Sequence, residues 1–411
     1  MSIPQPFPDS DLFELRLFLE ELVCHISRFT HATEHHIAPD ALRIQQEVDL
    51  GIPNAFADIR IQVPNQPNYF VEVKYGYSTE RIIASIKRKY SKNLPIFEGV
   101  SKLVLVADEH AHPNWEECVS QLKQIIPSTW TLEIWNEAHL LALVHRYFGI
   151  ELSSFSPETI LELRLRIDRE KGRYAFGDAY QNDPLDAHLL WQFGYWRLRH
   201  LFKNANETKR LILPPASYPA VVVLFADLSG FSGYVRETPS AKTIRDCLGA
   251  YCAKSRYQII NDGGMLYQFL GDGVLGLFGI PDRSSDYIER SFECARTLLS
   301  IGDSISNEWQ RQLDRVQPVH GCHIGMAMGE LQIVSLRPFS RTHTSVIGDA
   351  INMAARLSSD AAPGQIVVSN TIYQNLSPES RSLLTDSAPI EGKNVGRIKA
   401  WTYDKAHHKA R

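Results

Sequence analysis

The chain has 411 residues, 44% of them hydrophobic and 22% charged, with a formal net charge of −4 at pH 7. That balance is ordinary for globular protein of two or three domains, and it supplies no chain-wide field that would draw nucleic acid or an anionic membrane. The six cysteines form no CxxC pair, which argues against a zinc or disulfide framework and for a reducing compartment. No apolar run reaches the roughly 18 residues of a membrane span. The opening "MSIPQPFPDSDLF" lacks the basic start of a signal peptide, so the expected location is cytoplasmic, with no membrane partner.

Residues 1–150 alternate helix and strand signals, and we expect an α/β sandwich there. "DLFELRLFLEELVCHISRFT" carries apolar residues at helical spacing behind a possible N-cap, Asp11. "ADIRIQV", "NYFVEVKYG", "KLVLVADE" and "WTLEIW" read as strands, and "STERIIASIKRKYSK" as a basic amphipathic helix. Asp58 lies on the first of these strands. Glu72 and Lys74 alternate with Val73 on the second, so they share a face. Two carboxylates and a lysine near one sheet edge can bind a divalent ion and polarise a phosphodiester, whereas a lone Glu-x-Lys in a strand is commonly a solvated face.

This pattern resembles the PD-(D/E)xK nuclease fold, with Glu47 as a further acid nearby and "FAD" where the family has "PD". The resemblance implies a restriction-endonuclease-like α/β domain, and nucleic acid as a partner only through it, with the basic helix contacting phosphates. Three roles stay open: an active nuclease, a sensor of phage nucleic acid or protein, or a dimerisation scaffold. Of these, sensor or scaffold is favoured.

Residues 151–215 read as a helical linker. "SPETILELRLRIDREKGRY" starts behind Ser156 and Pro157, and "DAHLLWQFGYWRLRHLFKNA" follows before the Pro-rich "ILPPASYPA".

Residues 216–405 form the third region, again mixed α/β. "VVVLFADLSGFSGYV" ends a buried strand at Asp227 and turns at Gly230-Phe231. "MLYQFLGDGVLGLF" reads as a hairpin with Asp272 at its tip. A lone "GDG" is usually just a turn. Two carboxylates at strand ends, however, can hold two hard divalent ions for an in-line displacement at phosphorus. The free backbone N–H groups of the "SGFSG" turn suit a phosphate. In "SVIGDAINMAARLSS", Asp349 reads as a helix N-cap, and Asn352 and Arg356 fall on one helical face. That face is either a solvated polar stripe or an amide and a guanidinium placed for a ribose and a phosphoryl group.

Together, "FADLSGF", "GGMLYQFLGDGVLGLFG" and "VIGDAINMAARL" resemble the catalytic domain of class III nucleotidyl cyclases, over about Val221 to Tyr403. The resemblance implies a βαββαβ core and a head-to-tail homodimer with sites at the interface. It implies two divalent ions per site, Mg²⁺ or Mn²⁺, and conversion of a nucleoside triphosphate to a 3′,5′-cyclic nucleotide and pyrophosphate. Asp227 and Asp272 match the metal carboxylates, with Leu228 in the metal set. Asn352 matches the ribose-positioning amide and Arg356 the transition-state arginine. Lys393 in "IEGKNVG" stands at the triphosphate lysine, and Arg337 or Arg341 at the second triphosphate cation. Gly230 and Phe231 join the phosphate set.

The base-reading position, four residues before Asp272, holds lysine in adenylate cyclases and glutamate in guanylate cyclases. Here it is Gln268, which both donates and accepts, and its counterpart is Ser345. Tyr267 is expected to face the opposite side of the strand as a packing residue. The Gln268–Ser345 pair resembles the pyrimidine cyclase branch of bacterial anti-phage systems. That branch implies UTP or CTP as substrate, a phage-derived trigger and a downstream cyclic-nucleotide effector. The alternatives are an adenylate cyclase, an inactive nucleotide-binding regulator, or a nucleic-acid enzyme whose cyclase region is accessory.

Overall fold

A computed structural model describes residues 11–109, 112–178, 180, 184–204, 213–336, 344–392 and 396–408. The contacts divide the chain into two compact units, Met1–Lys171 and Gly172–Arg411.

The first unit opens on helix α1 (Leu12–Glu34), with Asp11 at its N-cap. A five-stranded sheet follows in sequential order: β1 (Arg43–Asp49), β2 (Phe56–Gln62), β3 (Asn68–Val73), β4 (Val100–Val106) and β5 (Thr131–Trp135). The first three strands pair antiparallel, and β3, β4 and β5 pair parallel. The parallel pairs need crossover helices, supplied by α2 (Thr79–Tyr90) and α3 (Trp115–Ile125). α4 (Glu137–Phe148) then closes on Gly149 in the left-handed conformation. The core lies where Ile82, Ile86 and Tyr90 of α2 meet Phe70, Leu103 and Leu105 of the sheet. The segment Arg43–Asp49 escapes sequence reading because "RIQQEVD" is mostly polar, yet Ile44, Gln46, Glu47 and Val48 are all buried.

The unit boundary falls within α5 (Pro157–Phe176), whose first turn is held by Ser156 Oγ accepting from Thr159 N–H. The second unit continues with α6 (Pro184–Gln192) and α7 (Tyr195–Asn204). It then forms the core β6 (Ser217–Leu228), α8 (Phe231–Glu237), α9 (Ala241–Asn261), β7 (Met265–Leu270), β8 (Gly273–Phe278), α10 (Tyr287–Leu313) and β9 (Cys322–Ser335). With the short α8 counted as part of the first crossover, this is the βαββαβ order expected from sequence. β10 (Thr344–Ile347), α11 (Asp349–Asp360), β11 (Gln365–Ser369), β12 (Thr385–Asp386), the ribbon β13–β14 (Ile390–Gly392 and Gly396–Ile398) and β15 (Ala400–Asp404) complete it. The main sheet runs β12-β15-β11-β9-β6-β8-β7, with β10 paired to β9.

α10 and α11 cover opposite faces of this sheet. Gly302 of α10 abuts Cys322, and Gly325 of β9 lies against the backbone of α11. Residues of odd and even parity along a strand point to opposite faces. A Cβ built on Gly325 would overlap the Ala354 carbonyl oxygen and the Ser358 nitrogen, backbone atoms that cannot swing aside. Gly325→Ala is therefore expected to push α11 off the sheet and cost about 3 kcal/mol. A urea-unfolding midpoint equal to that of the wild type would refute this packing.

Candidate active site

Asp227 ends β6 and Asp272 occupies the turn between β7 and β8, where Leu270 pairs with Gly273 and Gly271 adopts φ +68°. The central strand and the hairpin tip thus bring the two carboxylates into hydrogen-bonding reach of one another. Burial raises both. Burial and then the charge of Asp227 push the Asp272 carboxyl up to about 6. The pair is short of positive charge: His323 Nε2 lies 3.9 Å from Asp227 Oδ2, and burial lowers the pKa of that imidazole. Its other nitrogen, Nδ1, sits 2.9 Å from Ser229 Oγ. Sequence reasoning missed His323. It reaches the site only through the β6–β9 register, which sets it opposite Asp227.

After Leu228, the Ser229 amide donates to Gly321, and Gly230 turns the chain at φ +76° into α8. A side chain at Gly230 would strike the Val319 carbonyl, so the close approach requires glycine. Phe231 is the first helical residue after this turn.

Asn352 and Arg356 lie on α11, exposed, while Ala350, Ala354 and Leu357 of the same helix are buried against the sheet. Among the described residues the one ion pair of Arg356 is with Asp360, at 3.9 Å. No hydrogen bond or ion pair joins Asn352 or Arg356 to Asp227 or Asp272 within the chain. The N-cap of α11 is Gly348 rather than Asp349, which is already the first helical residue; a side chain at Gly348 would clash with the Glu330 carbonyl.

Gln268 is exposed on β7. The strict alternation expected around it fails, since a β-bulge falls between Leu266 and Gln268. Tyr267 is not merely a packing residue: its hydroxyl accepts a 3.1 Å hydrogen bond from the Val346 amide. That bond ties β7 to β10 one residue away from both Gln268 and Ser345. Lys393, Arg337 and Arg341 lie outside the described residues.

The family model of the adenylate and guanylate cyclase catalytic domain matches residues 213–404. That segment thus resembles a class III adenylate/guanylate cyclase catalytic domain. The chain is 25% identical over 200 residues to a protein named adenylate cyclase from Mycobacterium tuberculosis, a match covering 48% of this chain and 42% of that one. It is 26% identical over 185 residues to an adenylate cyclase of Anabaena cylindrica, covering 44% of this chain and 36% of the relative. The cyclase domain thus spans less than half the length of these relatives. Among solved structures it is similar to the guanylyl cyclase Cya2, at 24% identity and TM-score 0.40 over 46% of this chain and 92% of that one. It is also similar to the adenylyl cyclase CyaB from P. aeruginosa, at 20% identity and TM-score 0.41 over 46% and 95%. No helix among the described residues is long and apolar enough to cross a membrane.

Outside the cyclase domain, β2 and β3 bring Asp58, Glu72 and Lys74 together. Lys74 Nζ lies 2.6 Å from both Asp58 Oδ2 and Glu72 Oε2, and Asp58 also accepts from the Val73 amide at 2.7 Å. Glu47, at φ +49°, falls in the β1–β2 register between Gln46–Ile59 and Val48–Ala57, beside Asp58. Burial opposes ionisation of Asp58, but Lys74 and Lys89 outweigh it and hold the carboxyl well below its ordinary 3.8. A depressed native value means that the contribution of Asp58 to stability is present above pH 3.8 and is lost as the pH falls towards its native value. The stability gap between wild type and Asp58→Asn should therefore narrow below about pH 4 in urea titrations of the full chain. A gap of constant size from pH 6 to pH 3 would contradict the ion pairing.

Proposed function

We propose that the cyclase domain converts a nucleoside triphosphate to its 3′,5′-cyclic monophosphate and pyrophosphate, in a homodimer whose sites lie between protomers. The observation that carries this reading is the Asp227–Asp272 pair, two adjoining carboxylates raised by burial and poor in counter-charge. Such an oxygen set fits a hard divalent ion, Mg²⁺ or Mn²⁺, with Asp227, Asp272 and the neighbouring Leu228 as the residues that would hold it. Bound divalent ions supply charge neutralisation at the phosphates and acidify the attacking hydroxyl.

The rest falls to the chain. The 3′-oxygen bonds to the α-phosphorus as the bond to the bridging oxygen breaks. Pyrophosphate leaves with the electron pair, and the hydroxyl proton passes to solvent. Backbone N–H groups at Gly230 and Phe231 face the phosphates. Asn352 orients the ribose and Arg356 offsets charge on the transferring phosphoryl group, both from the second protomer. Support for the second protomer is that these two side chains face outward and meet neither carboxylate within one chain. Leu270 and Ile347 are also exposed and give apolar surface to bury. Lys393 and one of Arg337 and Arg341 complete the triphosphate contacts in this reading. Residues 1–150 act as sensor or scaffold, and 151–215 as the transmitting linker.

Gln268 and Ser345 read the base. Their paired donor and acceptor capacity favours the uracil or cytosine edge. The adenine reading has equal support, from the names of the mycobacterial and cyanobacterial relatives. A defence role, with a phage trigger and an effector, stands or falls with the pyrimidine reading.

Gln268→Lys should shift the ratio of kcat/KM values towards ATP, and Gln268→Glu towards GTP. Each shift should be roughly 10–100-fold, the worth of one mismatched buried hydrogen bond. If cyclic product forms with the same base selectivity in Gln268→Ala as in wild type, this residue does not read the base.

A further inference from the structure

The first unit contains a second pair of adjoining carboxylates, and its surroundings are the opposite of those at Asp227 and Asp272. Glu72 is fully buried, and Asp58 is 14% exposed. Lys89, from the last turn of α2, sits between them: its Nζ is 2.6 Å from Glu72 Oε2 and 3.3 Å from Asp58 Oδ1. Lys74, the residue after β3, bridges the same two carboxylates. The hydroxyl of Tyr90 donates to the remaining Glu72 oxygen, Oε1, at 2.6 Å. Two carboxylates thus face two ammonium groups, and every oxygen of the pair has a donor.

A divalent ion does not fit this arrangement. Mg²⁺ requires close to six oxygen ligands at about 2.1 Å. Inserting one here would bring two further positive charges against two ammonium groups already seated on Asp58 and Glu72, at a desolvation cost of several kcal/mol per ion. The nuclease resemblance implies a metal at these residues, and the geometry disagrees with it. Among the described residues no group of three or more His, Cys, Asp or Glu side chains converges to replace the missing ligands.

We propose that the ammonium of Lys89 occupies the cation position between Asp58 and Glu72, so that the first unit binds no divalent ion and acts by binding rather than by metal-dependent cleavage. Lys89 then fixes α2 to the sheet. Its exposed neighbours Arg81, Lys87 and Arg88 present positive charge outward on the same helix.

The test counts bound Mn²⁺ by electron paramagnetic resonance on the full chain carrying Asp227→Asn and Asp272→Asn, which silences the cyclase carboxylates. The expected result is no bound ion in that background and none lost on adding Glu72→Gln. Adding Lys74→Met and Lys89→Met together instead should vacate the cation position and admit about one ion per chain, with a Mn²⁺-dependent rise in melting temperature. An ion bound in the background and lost with Glu72→Gln would overturn the proposal, as would a folded double-lysine variant that gains no ion. The Glu72→Gln comparison needs no change at either lysine, so it decides the matter even if the double variant does not fold.

Discussion

Asp272→Asn is expected to lower cyclic-nucleotide formation by on the order of 10³-fold with every nucleoside triphosphate, while leaving the protein folded and more heat-stable. The rate loss follows from removing one of two carboxylates that would hold the divalent charge opposite the phosphates. Losing a single preorganised electrostatic contact of this kind typically costs 10²–10³-fold, and about the upper end applies where the whole counter-charge departs with it. The stability gain follows from linkage. The carboxyl of Asp272 titrates at about 6 against an ordinary 3.8, so the folded state holds its proton more tightly than the unfolded chain does. Such a group favours the fold below its unfolded value and loses that contribution as the pH rises through about 6. At pH 7 and without metal, the ionised pair repels, and a neutral amide relieves it. Calorimetry in chelator, beside initial rates in Mn²⁺, checks both halves. A destabilised inactive variant would mean that Asp272 is a structural turn residue.

The second large effect concerns the division of the site between chains. Asp272→Asn and Arg356→Ala homodimers should each be nearly inactive. Mixed in equal amounts and allowed to exchange, they should recover about a quarter of wild-type activity. Half the dimers are then mixed, and a two-fold interface gives each mixed dimer one site with both wild-type residues and one with neither. Size-exclusion chromatography of the mixture confirms that dimers are present. If dimers exchange but no activity returns, Arg356 does not act across the interface.

The elements of the candidate site were legible because they fall in contiguous runs. A strand ending in Asp227, a hairpin with Asp272 at its tip and a helix carrying Asn352 and Arg356 one turn apart can each be placed from local pattern alone. The βαββαβ order followed from the alternation of those runs with long amphipathic helices such as Tyr287–Leu313. What stayed hidden depends on register. His323 stands beside Asp227 only because β6 and β9 pair where they do, and nothing near Cys322-His323 in the sequence signals it. Tyr267 obeys alternation on paper, but the bulge beside it re-aims the strand, and its hydroxyl ends on the Val346 amide.

In the first unit, Lys89 reads from sequence as one more cation of a basic helix that contacts phosphates. A usable signal was present: Lys89 lies three residues after Ile86 and next to Tyr90, on the apolar stripe that Ile82, Ile86 and Tyr90 define. A lysine on a buried stripe requires a carboxylate partner, and Asp58 and Glu72 were already in view. Strand β1 stayed hidden for the converse reason. Its glutamines and Glu47 look solvated, yet Gln46 and Glu47 are buried in the sheet.

The most direct test of the central claim is to incubate the full chain with Mn²⁺ and each of ATP, GTP, CTP and UTP separately, resolving the products by chromatography. We predict a 3′,5′-cyclic monophosphate and pyrophosphate in equal amounts from at least one of the four, abolished by Asp272→Asn. Nucleotide binding without turnover in all four, or release of orthophosphate in place of pyrophosphate, would contradict it.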